Sequence, residues 1–77
     1  MQREAVESTS LRSVGYDPAD RTLEVEFNSG GIYRYLDVPP DIYRTFRQDE
    51  SLGRYFARNI RNRYECWKLV RRPAAPA

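Results

Sequence analysis

Residues 22–35, which read TLEVEFNSGGIYRY, decide the fold of this chain. Apolar and polar side chains alternate strictly over residues 22–27, and residues 31–36 form a second run of strand-forming residues. Between the two runs, residues 28–30 (Asn-Ser-Gly) suit a three-residue hairpin loop that ends with glycine in a left-handed conformation. The stretch therefore predicts two antiparallel strands joined by a tight turn.

The length of this loop determines which face of the sheet carries Tyr33 and Tyr35. A three-residue loop places both tyrosines on the apolar face of residues 22–27. A loop of two or four residues would instead place them beside the glutamates of the opposite face, because a one-residue shift inverts every side chain. We predict the three-residue loop, with Phe27 opposite Gly31.

Upstream of the hairpin, the sequence predicts one more strand and one turn. Residues 11–16 form the strand, in which Gly15 marks a bulge. Residues 17–20 (Asp-Pro-Ala-Asp) are typical of a type I turn. No period is visible in residues 1–9, which are predicted to form a flexible arm.

Downstream of the hairpin, a pair of prolines ends the third strand and opens a short helix over residues 40–48. Ser51 is an N-cap candidate for a second helix that extends to about residue 62. A last strand is predicted over residues 64–69, with Trp67 as its apolar anchor. The order βββααβ predicts an α+β domain whose two short helices pack on one face of an antiparallel sheet.

The predicted domain spans residues 10–70 and is followed by a flexible, proline-containing tail at residues 71–77. The residues predicted to form its core are Leu23, Val25, Phe27, Tyr33, Tyr35, Phe46, Tyr55, Phe56 and Ile60.

Composition excludes most enzyme classes. The chain has 77 residues, one cysteine and no histidine, so neither an internal disulfide nor a histidine-based catalytic or metal site is available. Cys66 has no activating partner and is predicted to be a buried small hydrophobic residue. Glu24 and Glu26 are explained by an exposed strand face. We therefore predict no catalytic residue, no metal and no cofactor, and a cytoplasmic protein without a membrane segment.

Charge is distributed unevenly along the chain. Residues 1–42 contain four arginines and eight acidic residues, a net charge of −4, whereas residues 43–77 contain eight arginines and one lysine against three acidic residues, a net charge of +6. A basic half can bind phosphates. It can equally complement the acidic half within one small fold, and the sequence leaves both interpretations open.

A row of arginines is the best candidate site. Arg54, Arg58 and Arg61 fall at helical spacing opposite the predicted core stripe, and Arg47 and Arg63 extend the row. Such a row is typical of phosphate contacts, and a solvated helix face explains it equally well.

Tyr33 and Tyr35 are the second candidate. Two aromatic side chains on a strand can stack on the bases of RNA. The predicted register instead favours two core tyrosines under the helices.

Most of the chain carries motifs in a characteristic order. They are Ser10-Leu11, Val14-Gly15-Tyr16-Asp17, Leu23-x-Val25-x-Phe27-x-x-Gly30, Tyr33-x-Tyr35-x-x-Val38-Pro39, Ser51-x-Gly53-x-Tyr55-Phe56 and Ile60-Arg61-x-x-Tyr64. With these motifs the chain resembles the KTSC domain family, which is named for the C-terminal extension of some lysyl-tRNA synthetases and also occurs as small bacterial proteins. The chain departs from the family at Asp49-Glu50, where members often carry a small residue, and the two added charges could weaken a nucleic-acid contact there.

The resemblance implies RNA binding through the synthetase context, for a family of unknown activity. We therefore predict a small non-enzymatic binding module, monomeric, that binds RNA through the basic helix face. The alternative is a protein-interaction or accessory domain that uses the sheet face or its edge and has no nucleic-acid activity.

Overall fold

A single antiparallel sheet of five strands, in the spatial order β1-β2-β3-β4-β5, forms the framework of the molecule. The structure is a computed structural model, and it describes residues 2–69. Its elements are β1 (Glu4–Ala5), β2 (Leu11–Asp17), β3 (Thr22–Phe27), β4 (Ile32–Tyr35), α1 (Pro40–Gln48), α2 (Leu52–Asn59) and β5 (Cys66–Leu69).

The predicted α+β class is confirmed, and both helices begin where the sequence places them. One strand is added within the predicted flexible arm: Glu4 and Ala5 form β1, which pairs with β2. The predicted tail at residues 71–77 and the end of the domain at residue 70 lie outside the described residues. No helix within residues 2–69 has the length and apolar character to cross a membrane.

The hairpin has the predicted three-residue loop. The amide of Phe27 donates to the carbonyl of Gly31 at 2.9 Å, and Gly30 has a φ of 104°. Val25 consequently lies opposite Tyr33 in the register. Both strand tyrosines therefore share the apolar face of β3. In the loop, a non-glycine residue at position 30 would be strained because of its positive φ.

This apolar face packs against the two helices. The buried hydrophobic residues are Leu11, Val14, Leu23, Val25, Tyr35, Val38, Phe46, Phe56 and Ile60. The core prediction is thus confirmed for six residues, whereas Phe27, Tyr33 and Tyr55 are only half-buried and pack around it. Leu11, Val14 and Val38 complete the core and were not predicted.

The prediction that Trp67 anchors the last strand and Cys66 is buried is wrong. Trp67 is 58% exposed, and Cys66 is an exposed thiol. β5 begins at Cys66 rather than at residue 64, and residues 66–68 are exposed although their side chains alternate between the two faces. The physical reason is that Trp67 pairs with Arg34 on the face opposite the helices, whereas Cys66 lies on an edge strand whose one neighbour in the described sheet is β4.

On the face opposite the helices, Glu24 is 3% exposed, which corrects the prediction of an exposed glutamate. Its carboxylate forms ion pairs with Arg3 and with Arg34, the latter at 2.9 Å. Burial opposes ionisation of this carboxyl, but the hydrogen bonds from Arg34 and Arg3 outweigh it and lower the pKa of Glu24. The two arginines cover the glutamate, which the alternation of β3 alone could not reveal.

Gly15 does not mark a bulge as predicted. It pairs in register with Glu24, and the irregularity in β2 lies between Leu11 and Ser13. A Cβ atom on Gly15 would lie 2.5 Å from the carbonyl oxygen of Gln2 and 3.2 Å from Cγ of Arg3. Glycine is therefore required here because the N-terminal backbone crosses directly over it.

Candidate nucleic-acid interface

The chain leaves the helical conformation at the end of α2. The helix starts at the Ser51 N-cap, whose hydroxyl accepts a 3.4 Å hydrogen bond from the amide of Arg54. At the other end, the amides of Ile60 and Arg61 both donate to the carbonyl of Phe56, at 3.0 and 2.8 Å. Asn62 then adopts a φ of 65°, a left-handed conformation that asparagine tolerates.

This ending corrects the predicted helix of residues 52–62. Because α2 ends at Asn59, Arg61 does not continue the helical face of Arg54 and Arg58. These two arginines lie one turn apart on the helix, about 6 Å along its axis, whereas Arg61 is part of the connection to β5.

A cavity of about 390 Å³ lies where this connection meets the sheet. It is partly open to solvent and is bordered by the β3–β4 hairpin, the strands β4 and β5, and the segment between α2 and β5. The lining residues are Phe27, Ser29, Tyr33, Tyr35, Arg61, Asn62, Tyr64 and Cys66. Four of these side chains are aromatic and none is acidic, so the cavity offers ring surfaces and one cationic group.

Both candidate tyrosines line this cavity. Tyr35 is 5% exposed and belongs to the core, as predicted, and its ring meets that of Phe56 edge to face at 5.2 Å. Tyr33 is half-buried and meets Phe27 in the same manner at 5.4 Å. The structure therefore combines the two interpretations, because Tyr35 is a core residue that also forms part of a ligand-sized cavity.

The Tyr35 hydroxyl stays protonated at neutral pH. Burial raises its pKa most, and the adjacent Cys66 thiol raises it further, whereas the charge of Arg61 lowers it. The hydroxyl is thus a neutral hydrogen-bond donor and acceptor within the cavity.

Four of the five predicted arginines are exposed and have no acidic partner within residues 2–69: Arg54, Arg58, Arg61 and Arg63. Arg63 is placed by a hydrogen bond from its Nε to the carbonyl of Arg58, at 3.3 Å. Glu65 follows closely in sequence without forming an ion pair with any of the four. Their positive charge is therefore directed to solvent.

Arg47 differs from the other four. It is held at the β1 edge, where its Nη1 lies 3.6 Å from a carboxylate oxygen of Glu4 and donates to the hydroxyl of Tyr43 at 3.1 Å. The prediction places Arg47 in the binding row, but its contacts give it a role in attaching β1 to α1.

Five residues of the cavity were not predicted as site residues: Phe27, Ser29, Asn62, Tyr64 and Cys66. Two of them left a signal in the sequence, since Phe27 belongs to the motif Leu23-x-Val25-x-Phe27 and Tyr64 ends the motif Ile60-Arg61-x-x-Tyr64. The exposure of Cys66 depends on how far the helices extend over the sheet, which local sequence does not reveal. Within the described part of the chain, no group of histidine, cysteine and acidic side chains is arranged to hold a metal ion.

Parts of larger proteins resemble this chain. Lysine–tRNA ligases of Nostoc punctiforme and Nostoc sp. are 29% and 32% identical to it over 63 residues. These matches cover 82% of the chain but 11% of each ligase. The shared segment is therefore a small portion of those enzymes.

Whole proteins of similar size resemble it more strongly. An uncharacterised protein of Stutzerimonas stutzeri is 46% identical over 70 residues, covering 90% of this chain and 99% of that protein. The crystal structure of a KTSC domain protein from Yersinia pestis superposes with a TM-score of 0.86 at 40% identity, over 88% of this chain and 96% of that one. The family model described as KTSC domain matches residues 7–64. The chain therefore belongs to the KTSC domain family.

Proposed function

We propose that this protein is a non-enzymatic module that binds single-stranded RNA at the β5 end of the sheet. The observation that carries the proposal is the placement of Arg61 in an aromatic cavity free of acidic side chains. Arg54, Arg58 and Arg63 supply further phosphate contacts beside it. The cytoplasm is the compartment that fits this role, since it contains RNA and keeps an unpaired thiol such as Cys66 reduced.

Electrostatics favours this end of the molecule over the others. Arg3, Arg34, Arg44 and Arg47 all have carboxylate partners, and Arg12 and Arg21, which have none within the described residues, lie at opposite ends of the β2–β3 hairpin. The basic cluster of residues 54–63 has none within the described residues, so its field extends into solvent and attracts a polyanion. Arginine also suits phosphate particularly well, because its planar guanidinium donates two parallel hydrogen bonds.

The aromatic lining favours a single strand over a duplex. Bases within a duplex are stacked and enclosed by the backbone, whereas a single strand can present its bases to protein rings. A duplex would contact only the arginines. The Nostoc relatives, whose names state that they ligate lysine to tRNA, are consistent with an RNA partner for this family.

The test is a titration of labelled oligouridylate and of an RNA duplex, followed by fluorescence anisotropy at several salt concentrations. If three phosphates are neutralised, the affinity for the single strand should fall with salt at a log–log slope of about −2. Replacing Arg54, Arg58 and Arg61 together by Gln should flatten this slope by a similar amount. The fold should survive, because all three side chains are exposed and Gln retains good helix propensity at positions 54 and 58.

A charge-matched control separates a site from a general attraction. The variant with Arg12, Arg21 and Arg44 replaced by Gln loses the same charge at exposed positions that do not line the cavity. It should retain most of the salt dependence of the parent. Equal losses in both variants would mean that only net charge matters, and no binding by the parent at low salt would rule out the proposal.

A protein-interaction role is the second candidate, and the exposure of Trp67 favours it. Trp67 pairs with Arg34 on the sheet face that the helices leave uncovered. Large exposed aromatic residues are enriched where proteins meet. Failure of RNA binding in the titration would direct attention to this face.

A further inference from the structure

We propose that the cavity accepts one unstacked nucleobase of the bound strand, with the adjoining phosphate at Arg61. This inference rests on the proposed function and goes further by assigning a nucleotide subsite. A surface with this subsite would contact both the phosphates and one base of the RNA, whereas a surface without it would contact the phosphates alone.

The cavity changes in character from its interior to its mouth. Tyr35 is almost fully buried, Tyr33 and Tyr64 are half-buried, and Arg61 is exposed. The interior is therefore aromatic and the mouth carries the charge. A nucleoside monophosphate unit has the same order of groups, with an apolar ring face at one end and a dianionic or diester phosphate at the other.

Size and polarity agree with this ligand. A volume of about 390 Å³ lies within the range of roughly 300–1,000 Å³ found for small-molecule sites. The rim supplies neutral hydrogen-bonding groups, namely the hydroxyl of Ser29 and the amide of Asn62. These groups can pair with the polar edge of a base, and no lining carboxylate would repel its phosphate.

The charges in the cavity also suit the two ends of the ligand, with a neutral group for the base and a cationic group for the phosphate. The Tyr35 hydroxyl is neutral at physiological pH, so it can bond to a base without repelling the phosphate. The guanidinium of Arg61 has no ion-pair partner within residues 2–69, so a phosphate need not displace a carboxylate. Base and phosphate can therefore bind without breaking any ion pair of the described structure.

Cys66 provides a reporter for occupancy, because it is the sole cysteine of the chain, is exposed and lines the cavity. The experiment measures the rate at which N-ethylmaleimide, a neutral reagent, modifies this thiol. Four additions are compared: oligouridylate, an oligonucleotide of equal length and charge without bases, uridine monophosphate, and inorganic phosphate. Anisotropy measures oligonucleotide binding in parallel.

If a base fills the cavity, saturating oligouridylate should slow the modification at least tenfold. The abasic strand should bind through the arginines and leave the rate within twofold of the free protein. Equal protection by both strands, or no protection by oligouridylate at saturation, would overturn the subsite while leaving RNA binding intact. Protection by uridine monophosphate, but not by phosphate, without any oligonucleotide binding would support the nucleotide subsite and contradict the proposed RNA function.

Two substitutions of Tyr33 give an independent readout. Tyr33→Phe retains the ring and should retain the preference for oligouridylate over the abasic strand. Tyr33→Leu removes the ring and should reduce this preference by about tenfold, as expected from the loss of one base–aromatic stack. A Tyr33→Leu protein with a normal melting temperature and an undiminished preference would show that the ring does not contact a base.

Discussion

The two edges of the sheet differ in how their charges and side chains are used. At the β1 edge, charged side chains are paired: Arg3, next to β1, forms an ion pair with Glu24 of the central strand β3, and Glu4 of β1 pairs with Arg47 of α1. At the β5 edge, the side chains of residues 66–68 and the arginines beside the strand are exposed. The charged side chains at the β1 edge thus form ion pairs within the fold, whereas the arginines beside β5 form none within the described residues.

This contrast explains what becomes of the uneven distribution of charge along the sequence. The acidic and basic halves do complement each other, within the described residues, where Arg44 reaches Asp41 and Arg47 reaches Glu4 across the boundary between them. The arginines of residues 54–63 form no ion pair in the described part of the chain. Charge asymmetry along a sequence therefore becomes informative about binding only once the ion pairs within the fold are accounted for.

The largest effect should come from Phe56, which packs in the core between the two edges. Its ring contacts those of Phe27, Tyr35 and Phe46 at centroid distances of 5.4, 5.2 and 6.4 Å. Phe56→Ala should lower the free energy of unfolding by about 3–5 kcal/mol, which is comparable to the whole stability of so small a domain. Urea denaturation should find the variant largely unfolded, while Leu52→Ala, at a half-buried position of the same helix, should remain folded. An unchanged midpoint for Phe56→Ala would mean that this helix face is not the core.

A substitution at Gly15 should damage the β1 edge alone. The new Cβ atom of Gly15→Ala would collide with the backbone of Gln2, so the N-terminal segment must move and the Arg3–Glu24 ion pair must weaken. We expect a loss of about 1–3 kcal/mol in urea denaturation, with faster amide exchange in β1. Oligouridylate binding, if present, should persist.

Gly53→Ala is the matched control for this prediction. Its Cβ atom would lie 3.2 Å from the hydroxyl of Ser10, a flexible side chain, and alanine favours the helix by about 1 kcal/mol over glycine. This variant should be neutral or more stable. If Gly15→Ala proved equally neutral, the crossing of the N-terminal backbone over β2 would not constrain the fold.

The smallest effect should come from the charge of Glu24 and should depend on pH. Glu24→Gln keeps the shape of the side chain and loses the charge-assisted hydrogen bonds. We expect it to lower the free energy of unfolding by about 1–2 kcal/mol at pH 7. Solvent screening reduces this loss, because Arg3 and Arg34 are 30% and 46% exposed. The folded pKa lies below the ordinary value of 4.5, so the stabilisation is complete above that value and is lost as pH falls through the folded pKa.

Denaturation of Glu24→Gln and the parent between pH 7 and pH 3 measures this difference. The difference in the free energy of unfolding between the parent and Glu24→Gln should decrease as the pH falls. Glu26→Gln is the control, since Glu26 accepts a hydrogen bond from Ser13 but has no ion pair within the described residues. A difference that stayed constant with pH would show that the ion pairs of Glu24 contribute no stability.

Local sequence predicted the elements well where one pattern dominates. Strict alternation defined β3, Gly30 set the hairpin register, and a proline and a serine marked the starts of the two helices. Each of these signals acts within a few residues. The α+β class follows from their order.

The errors concern contacts between distant segments. The burial of Glu24 requires Arg3, and the need for glycine at position 15 arises from Gln2. The cavity requires the hairpin, β5 and the end of α2 together, so its lining could be predicted only in part. Arg61 and the two strand tyrosines were each recognised as candidates, but their proximity depends on the position of Asn62, where the helix has already ended.

The route of the chain between β4 and β5 has a consequence for folding kinetics. Strands β1 to β4 form a meander in which each strand pairs with its neighbour in sequence, whereas β5 pairs with β4 only after the excursion of residues 36–65. Closing a longer loop costs more conformational entropy, so this pairing is expected to form late. Because β5 contributes Cys66 to the cavity, the cavity is completed only when this pairing forms.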